Sequence, residues 1–326
     1  MVIPEAFRRR YAGWPAGAAW VDALPALLAD LAGEWGLALE PPFRPTNHYV
    51  APATRADGTA AVLKLGPPGG GVPREIAALR HFQGPACVRL LAAAPERDAL
   101  LLERVLPGTP LTALTDGTDE AGDDRATAVL AGLMHTLWRP ASEAPSPYRL
   151  REWFAGELAA LRRHFGPPAA PAARAGETGP FPEALLVEAE ALLTGPLAAD
   201  PACVLLHGDL HHLNVLASSG SGRRGGAAPG RPDWVAIDPM GLKGDPAFEP
   251  AVALYNGYAV PAGALPPGRL RRTLRRRIDR YASELGLDRE RVRAWGLVRS
   301  VVSSWWSFQN GSGTWPHTLA CAAALR

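Results

Sequence analysis

The sequence predicts an α+β fold with two lobes: a small N-terminal lobe rich in β-strands, residues 1–105, and a large helical lobe, residues 106–326. Short β-type runs joined by turn residues dominate the first third of the chain, whereas apolar residues at helical spacing dominate the rest. Leu106-Pro107-Gly108 interrupts the pattern where the two regions meet. A chain of 326 residues is long enough to give each lobe its own core.

The N-terminal lobe is predicted to run helix, hairpin, helix, hairpin. Residues 20–35 carry apolar side chains three and four positions apart, which indicates a helix. Asp57-Gly58 lies in the middle of the β-type region 47–65, and Asp-Gly between two such runs is a strong hairpin signal. The second helix and the last two strands are predicted over residues 74–80, 87–92 and 99–105.

The C-terminal lobe is predicted to be helical around a small β island. The island has three apolar runs, over residues 203–206, 213–217 and 234–238. Predicted helices cover residues 125–138 and 183–194 ahead of it. Two amphipathic helices close the chain, and their apolar faces carry Leu270, Leu274, Ile278, Tyr281 and Leu285, then Val292, Trp295, Val298, Val302 and Trp305. Asp288 is the predicted N-cap of the last helix.

Composition excludes several classes of function. The formal net charge is +2, which gives no reason to expect nucleic acid or a membrane surface as a partner. The three cysteines are far apart in the chain, so a disulfide framework or a zinc finger is not expected. No run of 18 apolar residues occurs, so no membrane span is expected. We expect a cytoplasmic protein, and the sequence indicates no protein partner.

The chemistry is concentrated in the segment from Leu206 to Leu216 and in the strand that follows it. Asp209 is followed five residues later by Asn214, and Asp238 lies at the end of the next predicted strand. Phosphoryl transfer needs a group that orients the attacking hydroxyl and oxygen ligands for the metal that accompanies ATP. This order and spacing predict Asp209 as the catalytic base and Asn214 and Asp238 as Mg²⁺ ligands.

The N-terminal lobe supplies a matching set of residues. Lys64 ends a predicted strand and Glu75 lies early on the next helix, so an ion pair between them would hold the lysine against the α- and β-phosphates of ATP. The segment from Glu103 to Val105 lies at the end of the lobe, where its backbone groups could hydrogen-bond an adenine edge. These residues complete a predicted nucleotide site.

Two segments carry a family resemblance: His207-Gly208-Asp209-Leu210-His211 with Asn214, and Ile237-Asp238-Pro239 with Gly244-Asp245-Pro246. Together they resemble the signature of the aminoglycoside phosphotransferase and choline kinase superfamily. Within it, the chain is most similar to the streptomycin kinases and the hydroxyurea-resistance kinases. The resemblance runs from about residue 19 to about residue 311.

The resemblance implies a two-lobed, protein-kinase-like fold that holds ATP and Mg²⁺ and phosphorylates a hydroxyl of a small molecule. It implies the same roles for Asp209, Asn214, Asp238, Lys64 and Glu75 as the spacing does. It also implies that His207 braces the catalytic loop, and that Asp245 is a supporting structural residue.

The acceptor side is less defined by sequence. A streptomycin-like acceptor is cationic and would need carboxylates, for which Asp245 and Glu249 are the candidates. Glu249 stands where the family often has Asp. One of the adjacent pair Trp305 and Trp306 is expected to line the acceptor site, because aromatic walls are common in such pockets.

Several alternatives remain open at this level. The acceptor could be another antibiotic, an amino alcohol or a sugar, and the chain could be a nucleotide-binding pseudokinase with a regulatory role. His207, Asp209, His211 and His212 also suggest a zinc hydrolase, although no second cluster of ligands accompanies them. The sequence fixes neither the phosphorylated hydroxyl, nor ATP over GTP, nor the oligomeric state.

Overall fold

The computed structural model describes most of the chain, namely residues 3–44, 47–84, 86–115, 119–139, 149–165, 179–199, 202–218, 233–257 and 265–326. The chain divides into two compact units. The first comprises Met1–Gly108 together with Ser218–Val235, and the second comprises Thr109–Ala217 together with Ala236–Arg326.

The first unit combines helices with antiparallel strands. Its helices are α1 (Glu5–Tyr11), α2 (Pro15–Trp35) and α3 (Val72–Phe82). Its strands are β1 (Leu37–Leu39), β2 (Tyr49–Arg55), β3 (Ala60–Leu65), β4 (Leu90–Ala94) and β5 (Ala99–Glu103). A short 3-10 helix, Pro95–Arg97, joins β4 to β5, and β6 (Pro107–Pro110) follows.

The five strands β1 to β5 form one antiparallel sheet with the order β1-β2-β3-β5-β4. The predicted hairpin at Asp57-Gly58 is confirmed as the β2–β3 connection. Gly58 has a φ of 79°, which glycine adopts without strain. The Asp57 carboxylate accepts hydrogen bonds from the backbone N–H of Thr59 at 2.9 Å and from its hydroxyl at 2.6 Å. These contacts fix the register of the hairpin.

Helix α2 packs one apolar face on this sheet. Leu24, Leu28 and Leu31 are buried with the sheet residues Ala51 and Leu63. Within the described ranges, α2 is the one helix long and apolar enough to cross a membrane by length and composition. That is weak evidence for a span, because the core helix of a soluble protein meets the same criterion.

The second unit is mainly helical. Its helices are α4 (Glu120–Leu137), α5 (Leu150–Phe165), α6 (Glu183–Thr194), α7 (Phe248–Leu254), α8 (Pro267–Leu285), α9 (Arg289–Gln309) and α10 (Trp315–Ala324), preceded by a 3-10 helix, Leu111–Leu114. Among the described residues the remaining strands are β7 (Val204–Leu206), β8 (Val215–Ser218), β9 (Trp234–Ala236) and β10 (Leu242–Gly244). Strands β7 and β10 pair antiparallel, with Leu206 opposite Leu242.

Local signals predict most of these elements. The predicted helix over residues 183–194 is confirmed as α6. The Asp288 cap is confirmed, since its carboxylate accepts the backbone N–H of Arg291 at 2.7 Å. The structure also contains elements that the sequence does not predict, namely α1, β1, β6, α5, β10, α7 and α10.

A buried ion pair ties α4 to α8. The Arg277 guanidinium donates from Nε to Asp123 at 3.1 Å and from Nη2 at 2.5 Å, and both side chains are about 1% exposed. Arg277 Nη1 also donates to the backbone carbonyls of Leu254 and Asn256, each at 2.7 Å. Arg277 therefore joins α4 and α8 to the end of α7.

We expect Asp123→Asn to lower the free energy of unfolding by about 3–5 kcal/mol, because it removes the charge of the buried carboxylate that the Arg277 guanidinium contacts. The matched control is Asp279→Asn, which removes an exposed partner of Arg289 and should cost less than about 1 kcal/mol. Urea unfolding of the two variants measures the difference. Equal losses of unfolding free energy in the two variants would contradict a large contribution of the Asp123–Arg277 pair to stability.

Candidate active site

Lys64 and Glu75 meet in the first unit. Lys64 is on β3 and Glu75 is in the first turn of α3. The Lys64 ammonium donates to Glu75 Oε2 at 2.7 Å, and both side chains are buried. A lysine held in this way is an oriented positive charge that suits phosphate oxygens.

Glu103 is the last residue of β5, and Val105 follows two positions later. The Glu103 carboxylate is buried and pairs with Arg89, accepting from Nε at 2.7 Å and from the backbone N–H at 2.9 Å. Glu103 therefore holds the local backbone with its side chain. A contact of Glu103 or Val105 with adenine stays a prediction.

The loop over residues 207–214, which carries the predicted base Asp209 and is called the catalytic loop below, begins where β7 ends, and Gly208 allows the chain to turn there. Its φ is 83°, a value that favours glycine. A Cβ on Gly208 would lie 3.1 Å from Met240 and 3.2 Å from Leu242, so the neighbouring segment also leaves little room for one. The carbonyl of His207 accepts the Met240 N–H at 2.6 Å.

A buried carboxylate holds the start of this loop. Glu249, in the first turn of α7, is 1% exposed. Its Oε2 accepts the backbone N–H of His207 at 2.7 Å, and its Oε1 accepts that of Gly208 at 2.9 Å. Burial raises the pKa of Glu249 to about 7, although these backbone donors oppose the shift.

The His207 ring braces the loop in one tautomer. Nε2 lies 2.9 Å from the carbonyl oxygen of Ile237 and must carry the proton, because a carbonyl only accepts. Nδ1 then accepts the backbone N–H of Asp209 at 3.3 Å. Burial lowers the pKa of His207 to about 4, so the ring is neutral near pH 7.

Asp209 is held at both carboxylate oxygens. Oδ1 accepts from Arg299 Nη2 at 3.2 Å, and Oδ2 accepts from Asn214 Nδ2 at 3.2 Å. His211 Nε2 lies 3.5 Å from Oδ2. Burial alone would raise the pKa of Asp209, but His211 and Arg299 outweigh burial and lower it below its ordinary value. Asp209 is therefore an anion at neutral pH, as a base must be before it accepts a proton.

Asn214 and Asp238 lie on backbone segments that are hydrogen-bonded to each other, since the N–H of Ile237, the residue before Asp238, donates to the carbonyl of Asn214 at 2.9 Å. The side-chain nitrogen Nδ2 of Asn214 donates to the backbone carbonyl of Asp209. The amide oxygen Oδ1 of Asn214 therefore points away from that carbonyl. Asp238 has a φ of 61°, unusual outside glycine, just beyond the end of β9.

This donor set fits Mg²⁺. One amide oxygen and one carboxylate are typical of a site where water and phosphate complete the coordination. Across the residues that the structure describes, no group of three or more His, Cys, Asp and Glu side chains could hold a metal ion. The zinc interpretation therefore has no ligand set in that part of the chain.

The structure places the two carboxylates predicted for the acceptor elsewhere. Asp245 is 1% exposed and accepts from Trp295 Nε1 at 2.6 Å and from Arg291. Glu249 is occupied by the catalytic loop. Neither carboxylate is available to a cationic substrate, so acceptor binding does not fit them. Both were expected near the acceptor from their sequence position, and packing makes them internal supports.

The two tryptophans separate as expected for adjacent helical residues. Trp305 is 1% exposed and packs in an aromatic cluster with Phe181 and Phe308, so it is a core residue and does not fit an acceptor wall. Trp306 is half-buried and lies against Arg299, whose Cζ is 4.7 Å from the ring centroid. Trp306 is thus the member of the pair near Asp209.

Comparison with known proteins gives the family. The model of the aminoglycoside/hydroxyurea antibiotic resistance kinases matches residues 40–311. This chain belongs to that family. The predicted superfamily is thereby confirmed, and the kinase is an ATP-dependent phosphotransferase that acts on small-molecule hydroxyls.

Relatives support the same assignment over the full length. A hydroxyurea phosphotransferase of Kitasatospora aureofaciens is 38% identical over 97% of this chain and 82% of its own. A streptomycin 6-kinase of Streptomyces griseus is 33% identical over 99% of this chain and 96% of its own. A choline kinase of Streptococcus pneumoniae, 11% identical, covers 93% of this kinase and 99% of its own chain with a TM-score of 0.60, which confirms the kinase-like fold.

Arg299 lies near Asp209 and is not singled out by the sequence, whereas His211 is part of the loop motif itself. Arg299 interrupts the apolar face of α9, four residues after Trp295 and three before Val302, and a charge at that spacing was the available signal. His211 lies within the loop motif, and its Nδ1 accepts the Leu213 N–H at 3.2 Å, which leaves the Nε2 proton facing Asp209.

Neutral, buried His207 makes the stability of the kinase depend on pH. Between about pH 6.5, the ordinary pKa, and about pH 4, the folded value, the unfolded chain binds a proton at this residue that the folded chain does not. Stability should therefore fall as the pH falls through this window, by about 1.4 kcal/mol per pH unit from His207 alone. Urea unfolding at several pH values should show a shallower dependence in His207→Gln than in the wild type. Parallel curves would contradict the assigned neutral state.

Proposed function

We propose that this kinase transfers the γ-phosphoryl group of ATP to a hydroxyl of a streptomycin-like aminoglycoside, with Asp209 as the catalytic base. The observation that carries the proposal is an ionised Asp209 held at both oxygens, on the same loop as Asn214. The full-length similarity to streptomycin 6-kinases supports the acceptor. ATP as donor suggests that the kinase works in the cytoplasm.

Each residue has one task in this proposal. Asp209 accepts a hydrogen bond from the acceptor hydroxyl, orients the oxygen and takes its proton as the phosphoryl group leaves ADP. Lys64, fixed by Glu75, binds the α- and β-phosphates. Asn214 and Asp238 would hold Mg²⁺, which neutralises charge on the phosphates when it is bound. Glu103 and Val105 would contact the adenine.

Hydroxyurea is the second candidate acceptor. The chain is 38% identical to a hydroxyurea phosphotransferase. In addition, internal hydrogen bonds occupy the two carboxylates that were predicted to bind a cationic acceptor, those of Asp245 and Glu249. A small neutral acceptor with one hydroxyl needs no such carboxylates, so this observation favours it.

The decisive assay is ADP release with ATP and Mg²⁺ on streptomycin, hydroxyurea, other aminoglycosides and small amino alcohols. Asp209→Asn keeps the size of the side chain but removes the base, so turnover should fall by roughly 10²- to 10⁴-fold. Asp279→Asn, an exposed change on α8, should keep the wild-type rate.

The acceptor that is turned over identifies the substrate class. Turnover of hydroxyurea alone would replace the first candidate by the second, and turnover of an amino alcohol alone would replace both. An Asp209→Asn enzyme as fast as the wild type would remove Asp209 from the mechanism.

A further inference from the structure

Arg299 is a buried cation whose only hydrogen bond among the described residues goes to the catalytic-base candidate. It is 4% exposed in the middle of α9. Nη2 donates to Asp209 Oδ1 at 3.2 Å. Its Nε and Nη1 are buried and make no hydrogen bond within the part of the chain that the structure describes.

This arrangement costs stability. Each buried donor without a partner lowers the stability of the fold, and the charge itself is costly to remove from water. The rings of Trp306 and Tyr255 offset part of the cost, since the Arg299 Cζ lies 4.7 Å and 5.9 Å from their centroids. An apolar residue at this position on α9 would avoid this loss of stability. The hydrogen bond to Asp209 is therefore the property that an arginine adds here.

That hydrogen bond restricts the terminal side-chain torsion of Asp209, which otherwise rotates easily. The terminal torsion of an aspartate is broad, so a carboxylate held at one oxygen can rotate. Asn214 holds Oδ2 and Arg299 holds Oδ1, each at 3.2 Å. With both in place, the plane of the carboxylate is fixed, and so is the lone pair that faces an acceptor hydroxyl.

We propose that Arg299 is a positioning residue for phosphoryl transfer: it sets the orientation of the Asp209 carboxylate, and Trp306 sets the orientation of Arg299. The proposal rests on the role of Asp209 as base. Arg299 acts through Asp209 and touches neither substrate. Its loss therefore slows the chemical step and leaves the binding of both substrates unchanged.

The first test is steady-state kinetics of Arg299→Met and Arg299→Lys with ATP and whichever of streptomycin or hydroxyurea the wild type turns over. Arg299→Met should lower kcat by roughly 10- to 100-fold, the effect of a misplaced catalytic group. The KM values for ATP and the acceptor should stay within about 2-fold, because the interaction is made with the base. Arg299→Lys should recover part of kcat. Arg289→Met, an exposed change at the start of the same helix, is the matched control.

The second test is a double-mutant cycle with Asp209→Asn. If Arg299 acts through Asp209, Arg299→Met should change the residual rate of Asp209→Asn by less than about 2-fold. An undiminished effect in that background would overturn the proposal, as would a wild-type kcat in Arg299→Met. A raised acceptor KM with unchanged kcat would also overturn it, because Arg299 would then contact the acceptor.

Three further outcomes are distinguishable from these. An Asp209→Asn enzyme with the wild-type rate would defeat the proposed function, whatever Arg299 does. If neither acceptor is turned over, the same cycle is run on ATP hydrolysis, with water in place of the hydroxyl. If Arg299→Met does not fold, Trp306→Leu replaces it, since it removes the ring beside the guanidinium and keeps the charge. A lower kcat at unchanged KM then supports the proposal, and an unchanged kcat overturns it.

Discussion

The buried carboxylate of Glu249 accepts two backbone hydrogen bonds from the start of the catalytic loop, and the position of the loop depends on these two bonds. Gly208 turns the chain so that two successive backbone N–H groups, those of His207 and Gly208, point inward. Buried N–H donors need acceptors, and a carboxylate offers two strong acceptor oxygens in a fixed geometry. The cost is a carboxylate whose pKa burial raises to about 7.

The supports of the site form a continuous series within the second unit. Arg277 binds the carbonyls at the end of α7, and α7 carries Glu249 in its first turn. Glu249 accepts the backbone N–H of His207, and the His207 ring hydrogen-bonds the carbonyl of Ile237 just after β9. Arg299 reaches Asp209 from α9. The loop that carries Asp209 is thus held by Glu249 of α7, by Ile237 just after β9 and by Arg299 of α9.

Local sequence signals predict the parts of this kinase that local physics determines. Asp57-Gly58 gives the β2–β3 hairpin and Asp288 gives the start of α9, because a tight turn and a helix cap each need particular residues. The spacing of Asp209 and Asn214 reflects one loop, so their proximity also follows from the sequence.

The supporting residues escape such reasoning because tertiary packing decides their environment. Glu249 follows the predicted Mg²⁺-ligand segment, and the sequence gives no sign that it is buried, whereas the family resemblance already implies a supporting role for Asp245. Arg299 is recognisable only as a charge on an apolar face, and its partner lies 90 residues earlier in the chain. The short elements α1 and β1 span too few turns or alternations for a periodic pattern.

Hydrogen exchange at the loop amides tests the central claim most directly. Glu249→Gln keeps the size of the side chain but replaces one acceptor oxygen by an amide donor, which faces a backbone N–H. The account predicts that protection of the His207 and Gly208 amides is lost in this variant, while amides of β2 and β3 in the other unit keep theirs. Equal protection of the two loop amides in wild type and variant would contradict it, because the loop would then be held by something other than Glu249.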